Sequence, residues 1–163
     1  MGRRPDDGGQ GVLVATVDVS NEIGIDRPVD AVAAYAVDPD NAPRWYANIR
    51  SVRWVTPPPL AVGTRLEFVA RFLGRTLTYT YEVTELVAGE RMMMRTAEGP
   101  FPMETTYSWR AASPRTTMMT LRNRGRPTGF PALVAPFMAA AVGRANRKDL
   151  RKLKALLEAP DHD

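Results

Sequence analysis

"GTRLEFVARFLGRTLTYTYEVTEL", from Gly63 to Leu86, alternates apolar and polar side chains on either side of a Leu73-Gly74 break. Successive side chains of a strand point to opposite faces. Leu66, Phe68, Ala70 and Phe72 therefore share one face, and Tyr79, Tyr81 and Val83 answer them from the returning strand. A two-residue connection containing glycine suits a tight turn, so the stretch predicts an antiparallel hairpin.

Similar strands extend in both directions. Downstream, "ERMMMRTA", "METTYSWR" and "TTMMTLRN" predict three more, separated by Gly99–Pro102 and by the Ser113-Pro114 turn. Upstream, Ser51–Val55 predicts a strand ended by Pro57-Pro58-Pro59, and Val12–Ile25 a long first strand with Val17, Val19, Asn21, Ile23 and Ile25 on one face. Between these two, "IDRPVDAVAAYAVD" predicts a helix capped by Asp26 with Pro28 in its first turn, and "PDNAPRWYANI" a short second helix. The tail from Pro131 or Ala132 to Ala159 predicts one long amphipathic helix, with Pro136 in its first turn or at a kink. Closely spaced strands without intervening helices pair antiparallel. The expected fold is thus α+β: a curved seven-stranded antiparallel sheet around a long C-terminal helix, with two short helices after strand 1. A sheet bent around a helix favours an internal cavity.

The bulk composition excludes much. The 163 residues suit one domain, read as residues 12–159, with residues 1–11 as a disordered leading tail and 160–163 as a closing one. No apolar run reaches the roughly 20 residues of a membrane helix, and the N-terminus lacks the apolar core of a signal peptide. There is no cysteine and one histidine, His162, second from the end. Thiolate and imidazole metal sites, a cysteine nucleophile and a histidine base therefore have no residues to build them. No metal or cofactor is expected, and the composition fits a cytoplasmic protein.

The ordered set Ile25-Asp26-Arg27-Pro28 with Val32, Pro43-Arg44-Trp45-Tyr46, Val62-Gly63-Thr64-Arg65, Tyr81-Glu82-Val83-Thr84-Glu85 and "ANRKDLRKLKALLE" resembles the START-like (Bet v 1-like, SRPBCC) superfamily. It looks closest to the polyketide cyclase/dehydrase and lipid transport branch, over about Val17 to Ala159. The resemblance implies a helix-grip fold that binds a hydrophobic small molecule between sheet and C-terminal helix. Activities vary widely on this fold, so the resemblance leaves the reaction open.

Candidate site residues follow from strand parity. Of eight methionines, Met92, Met93, Met94, Met103, Met118 and Met119 lie on the last three strands and Met138 on the closing helix. Methionine is flexible and polarizable, suiting a wall that repacks around a guest; ordinary core filling is the competing explanation. Parity places Met92, Met94 and Met119 toward the helix and Met93 and Met118 away from it. Trp45, Phe68, Tyr79, Tyr81, Tyr107, Trp109 and Phe137 form the aromatic set, with Thr105 as a polar member; Asn123 and Asn146 are further polar candidates. Tyrosines in an apolar wall need hydrogen-bond partners, internal or on a ligand.

Acid–base candidates are few. Glu67, Glu82 and Glu104 fall on the polar parity, where surface ion pairing is the ordinary role, and Asp149 is expected to pair with helix or loop groups. In a cyclase, Tyr107 and Arg95 would be cast as the groups that stabilise an enolate. The six cations between Arg144 and Lys154, and the cluster Arg122, Arg124 and Arg126, suit either a solvated face or transient contact with an anionic membrane surface. No motif points to specific nucleic-acid binding. The leading expectation is a monomeric or homodimeric carrier of a lipid-like, aromatic or polyketide-like molecule. A polyketide cyclase, aromatase or dehydrase is the enzymatic alternative, and an ATPase-activating cochaperone module a third.

Overall fold

The structure, a computed structural model, describes residues 16–128 and 131–160. The N-terminal tail, the first residues of the expected opening strand, His162 and most of the closing tail lie outside the described residues. β1 (Val17–Ile25) is followed by α1 (Val29–Val37), a 3-10 turn at Pro39–Asn41, and α2 (Ala42–Trp45). The chain then forms β2 (Ile49–Trp54), β3 (Arg65–Phe72), β4 (Arg75–Val87), β5 (Arg91–Glu98), β6 (Met103–Ser113) and β7 (Thr116–Gly125). After a 3-10 turn at Ala132–Val134 it ends in α3 (Ala135–Glu158).

The seven strands form one antiparallel sheet in the order β1-β7-β6-β5-β4-β3-β2, the expected helix-grip architecture. The β3–β4 hairpin turns at Leu73 and Gly74, which adopt φ of 50° and 76°. Two consecutive left-handed residues match the twist of the flanking strands, and glycine takes the second at no steric cost. The register sets Phe68 opposite Tyr79 and Leu66 opposite Tyr81, both on the concave face.

Three local expectations need correction. Pro28 is the N-cap of α1 rather than a first-turn residue, and no side chain caps that helix. Asp26 instead donates its backbone N–H to Glu158 at 2.7 Å, joining the end of β1 to the end of α3. The second short helix is divided into a 3-10 turn and a four-residue α-helix, with the Asp38 carboxylate accepting the Asp40 N–H at the entry. The long helix opens as a separate 3-10 turn, and Pro136 falls in the first α-helical turn, where its missing N–H has no intrahelical partner to lose.

Helix α3 divides the interior into two unlike halves. Its C-terminal half presses Leu150 and Leu153, 1% and 0% exposed, onto the sheet beside Ile25, Met119 and Leu121. Each such burial contributes roughly 1.5–3 kcal/mol, so this end anchors the helix. Lys154 reinforces it, donating to the Gly24 carbonyl at 2.8 Å and pairing with Glu158 at 2.6 Å. Under the N-terminal half of α3 the interior is hollow.

Candidate functional site

The hollow is a cavity of about 190 Å³ between the concave sheet and α3. Its aromatic wall comes from the hairpin and β6: Phe68, Tyr79, Tyr81 and Tyr107. Phe68 and Tyr79 stack with centroids 5.5 Å apart and planes 9° from parallel, and Tyr81 meets Tyr79 edge-on at 5.0 Å. Met94, Met103 and Ala70 complete the strand side. Helix α3 supplies Met138, Val142, Ala145, Asn146 and Asp149, one stripe at helical spacing. Half-buried Phe72, Leu77 and Phe101 also line it.

Two hydrogen-bonded polar groups interrupt this apolar surface, and Asn48 and Arg124 also border it. At one, the Tyr46 and Tyr107 hydroxyls are 2.6 Å apart, joining the end of α2 to β6. Asp149 is close by and accepts the Ala47 backbone N–H at 2.9 Å. Burial pushes the Asp149 carboxyl up to about 6, against the opposing pull of the Ala47 N–H and of Lys148 and Lys152. Burial likewise pushes the Tyr81 phenol up to about 12 and raises Tyr46, Tyr79 and Tyr107. The phenols therefore stay neutral at physiological pH and act as hydrogen-bond groups rather than as phenolate bases. Asp149 is the one cavity-lining carboxyl among the described residues, and it titrates close to neutrality.

The second polar group runs across the other wall. The Tyr81 hydroxyl is 2.9 Å from the Thr105 hydroxyl, which donates to Asn123 Oδ1 at 2.7 Å. Asn123 Nδ2 in turn donates to Asn146 Oδ1 at 2.7 Å. Four elements, β4, β6, β7 and α3, are thereby linked through side chains.

Of the residues expected at the site, the structure brings Phe68, Tyr79, Tyr81, Met94, Thr105, Tyr107 and Met138 to the cavity. Trp45, Met92, Trp109 and Met119 are buried in the solid core instead, at 0%, 2%, 6% and 0% exposure. Met92, Trp109 and Met119 share the strand face of the cavity residues and Trp45 comes from α2, but all four belong to the packed core. Phe137 is a correction: it is 76% exposed, because it leads Met138 by one residue and so turns about 100° away from the sheet. Arg95 is a second correction. It lies on the outer face, paired with Glu104 at 2.8 Å, and does not reach the cavity.

Glu67 pairs with Arg53 at 3.1 Å, the surface role expected of it. Arg122 and Arg124 both approach Asp18, at 2.7 and 3.8 Å, so much of that cationic cluster is internally compensated. Asp149 does pair with a loop group, but its place in the cavity wall was not expected. The signal was present: Asp149 follows Val142 by seven residues and Ala145 by four, on the apolar stripe. Tyr46 was missed as a site residue because a four-residue helix has no period to read. Among the described residues no group of three or more His, Cys, Asp or Glu could hold a metal ion, and no helix is long and apolar enough to cross a membrane.

The family described as "Polyketide cyclase / dehydrase and lipid transport" matches residues 16–158. No curated protein matches the sequence. Among solved structures, a protein from Thermus thermophilus superposes with a TM-score of 0.77 at 20% identity, covering 89% of this chain and 99% of that one. The Zhui aromatase/cyclase of a Streptomyces species gives 0.75 at 16% identity, covering 88% and 94%. A START superfamily protein from Mycobacterium smegmatis gives 0.75 at 14%, covering 86% and 97%. At these identities the likeness is one of fold.

Proposed function

Because the chain belongs to the polyketide cyclase / dehydrase and lipid transport family, we propose that it binds a small hydrophobic molecule, aromatic or polyketide-like in shape, in the cavity under α3. One observation carries this reading: the aromatic wall of Phe68 stacked on Tyr79, Tyr81 edge-on to both, and Tyr107, facing a cavity of about 190 Å³. Flat aromatic faces match flat rings, and a dry apolar cavity of about 150 Å³ already accepts benzene. The volume favours a compact ring system over a long acyl chain, since pockets for drug-sized ligands usually exceed about 300 Å³. Native mass spectrometry and thermal shift with a panel of aromatic ketones and fatty acids test the proposal. Aromatic ketones should stabilise the protein more than fatty acids do. No bound species and no stabilisation across the panel would overturn it.

Cyclisation or dehydration of such a molecule is the second reading, supported by the Asp149 carboxyl near neutrality beside the Tyr46–Tyr107 pair. A carboxyl with that pKa can both accept and return a proton at physiological pH. The cyclase reading predicts turnover that Asp149→Asn abolishes while ligand binding survives. Binding without turnover in the unaltered protein leaves the carrier role.

A further inference from the structure

The chain from Tyr81 through Thr105 and Asn123 to Asn146 has a direction, and it ends on an atom with nothing to bind. Asn146 is 2% exposed and lines the cavity; its Nδ2 is buried and has no acceptor among the described residues. Counting protons fixes the direction. The single hydroxyl proton of Thr105 goes to Asn123 Oδ1, so Tyr81 must give its own proton to Thr105. The Asn123 amide then donates onward to Asn146 Oδ1, and every donor in the chain points toward α3. Turning both amides over would reverse the chain. It would strand the Tyr81 O–H as well as the Asn146 carbonyl, two unpaired groups in place of one.

A buried donor without a partner costs free energy, and a ligand acceptor that reaches Nδ2 by displacing the atoms covering it would remove that cost. Building on the reading of the cavity as an aromatic or polyketide-like site, we propose that Asn146 is the ligand's hydrogen-bond donor. The site then selects molecules that present a neutral acceptor oxygen, such as a ketone or quinone carbonyl, over those whose polar group is an N–H. Neutrality follows from the charges along the cavity: Arg124 is already within 3.8 Å of Asp18 and 3.7 Å of Glu104, and Asp149, one helical turn from Asn146, opposes an anionic ligand once ionised. Thr105 and Asn123 are positioning residues: they hold the Asn146 amide so that its carbonyl is occupied and its NH2 is free.

Three two-ring probes of similar size separate the possibilities: indene with no polar group, 1-indanone with a carbonyl, and indole with an N–H. Each is titrated into the full 15N-labelled chain and followed by NMR. The expected result is 1-indanone binding about tenfold more tightly than indene, equivalent to about 1.4 kcal/mol, with indole no tighter than indene. Asn146→Leu should erase the advantage of 1-indanone over indene. If that variant does not fold, Asn146→Asp keeps an oxygen for Asn123 and exchanges the free donor for an acceptor, and should favour indole over 1-indanone. A preference for indole in the unaltered protein overturns the inference. So does an advantage for 1-indanone that survives Asn146→Leu, since it would then come from the tyrosine pair. Equal binding of all three probes removes this inference and leaves the cavity reading standing, whereas no binding of any of them removes both.

Discussion

Oδ1 of Asp149 accepts the backbone N–H of Ala47 at 2.9 Å, tying the middle of α3 to the turn that follows α2. The bond closes one side of the cavity with a carboxyl that burial has made reluctant to ionise.

Stability should therefore depend on pH through Asp149. Its pKa is raised from 3.8 unfolded to about 6 folded, so the folded state holds this proton more tightly. The stabilisation is fully present below about pH 4 and is lost as pH rises through 6, a change on the order of 2–3 kcal/mol. The amide introduced by Asp149→Asn would keep an acceptor for Ala47 without ionising. Thermal denaturation of this variant and the unaltered protein should give similar midpoints at pH 4 and a higher midpoint for the variant at pH 8. A midpoint difference that does not change with pH would refute this.

The Tyr46–Tyr107 pair predicts strong coupling between two substitutions. Tyr46→Phe or Tyr107→Phe alone leaves one buried hydroxyl without its partner, costing about 1–3 kcal/mol. The double variant removes both groups and should cost less than the sum of the two. A double-mutant cycle by chemical denaturation measures the coupling; additive losses would mean that the 2.6 Å contact contributes little.

Filling the cavity should separate binding from folding. Ala145 lines it from α3, and Ala145→Leu adds apolar volume at a helix position that leucine tolerates. Binding of 1-indanone should weaken by more than about tenfold, that is 1.4 kcal/mol, while the melting temperature holds or rises. Unchanged affinity would place the ligand elsewhere.

The two ends of the interior should respond differently to truncation. Met119 is fully buried in the solid half, and Met119→Ala should cost about 2–5 kcal/mol. Met94 borders the cavity and has fewer atoms around it, so Met94→Ala should fall at or below the low end of that range. Phe137→Ser, at a position 76% exposed, should change stability by no more than about 0.5 kcal/mol. Urea denaturation ranks the three. Equal losses at Met94 and Met119 would contradict the division into a hollow and a solid half.

The methionine run of β5 shows how far the sequence reaches. Alternation correctly sets Met92 and Met94 on the concave face and Met93 on the other: Met92 and Met94 are buried and Met93 only partly so. Yet Met94 faces the cavity while Met92, paired with Tyr107, packs into solid core beside Leu86. A period of two reports the face of a strand and nothing about where along the strand a helix from another part of the chain will press.

Asp149 and Phe137 mark the same boundary on α3. Helical spacing sets Asp149 in line with Val142 and Ala145, but a carboxyl among six cations reads as a partner for helix or loop groups rather than as part of a cavity wall. Phe137 belonged to the stripe by composition, and one residue of helical rotation turned it to solvent. What the sequence alone determined is the set of elements, their antiparallel pairing and the face that most strand residues take, because these depend on local periods and turn chemistry. The tertiary structure decided which part of that shared face is hollow, because Leu150 and Leu153 seat only the C-terminal half of α3 and leave Asn146 and its unpaired donor at the edge of the space beyond.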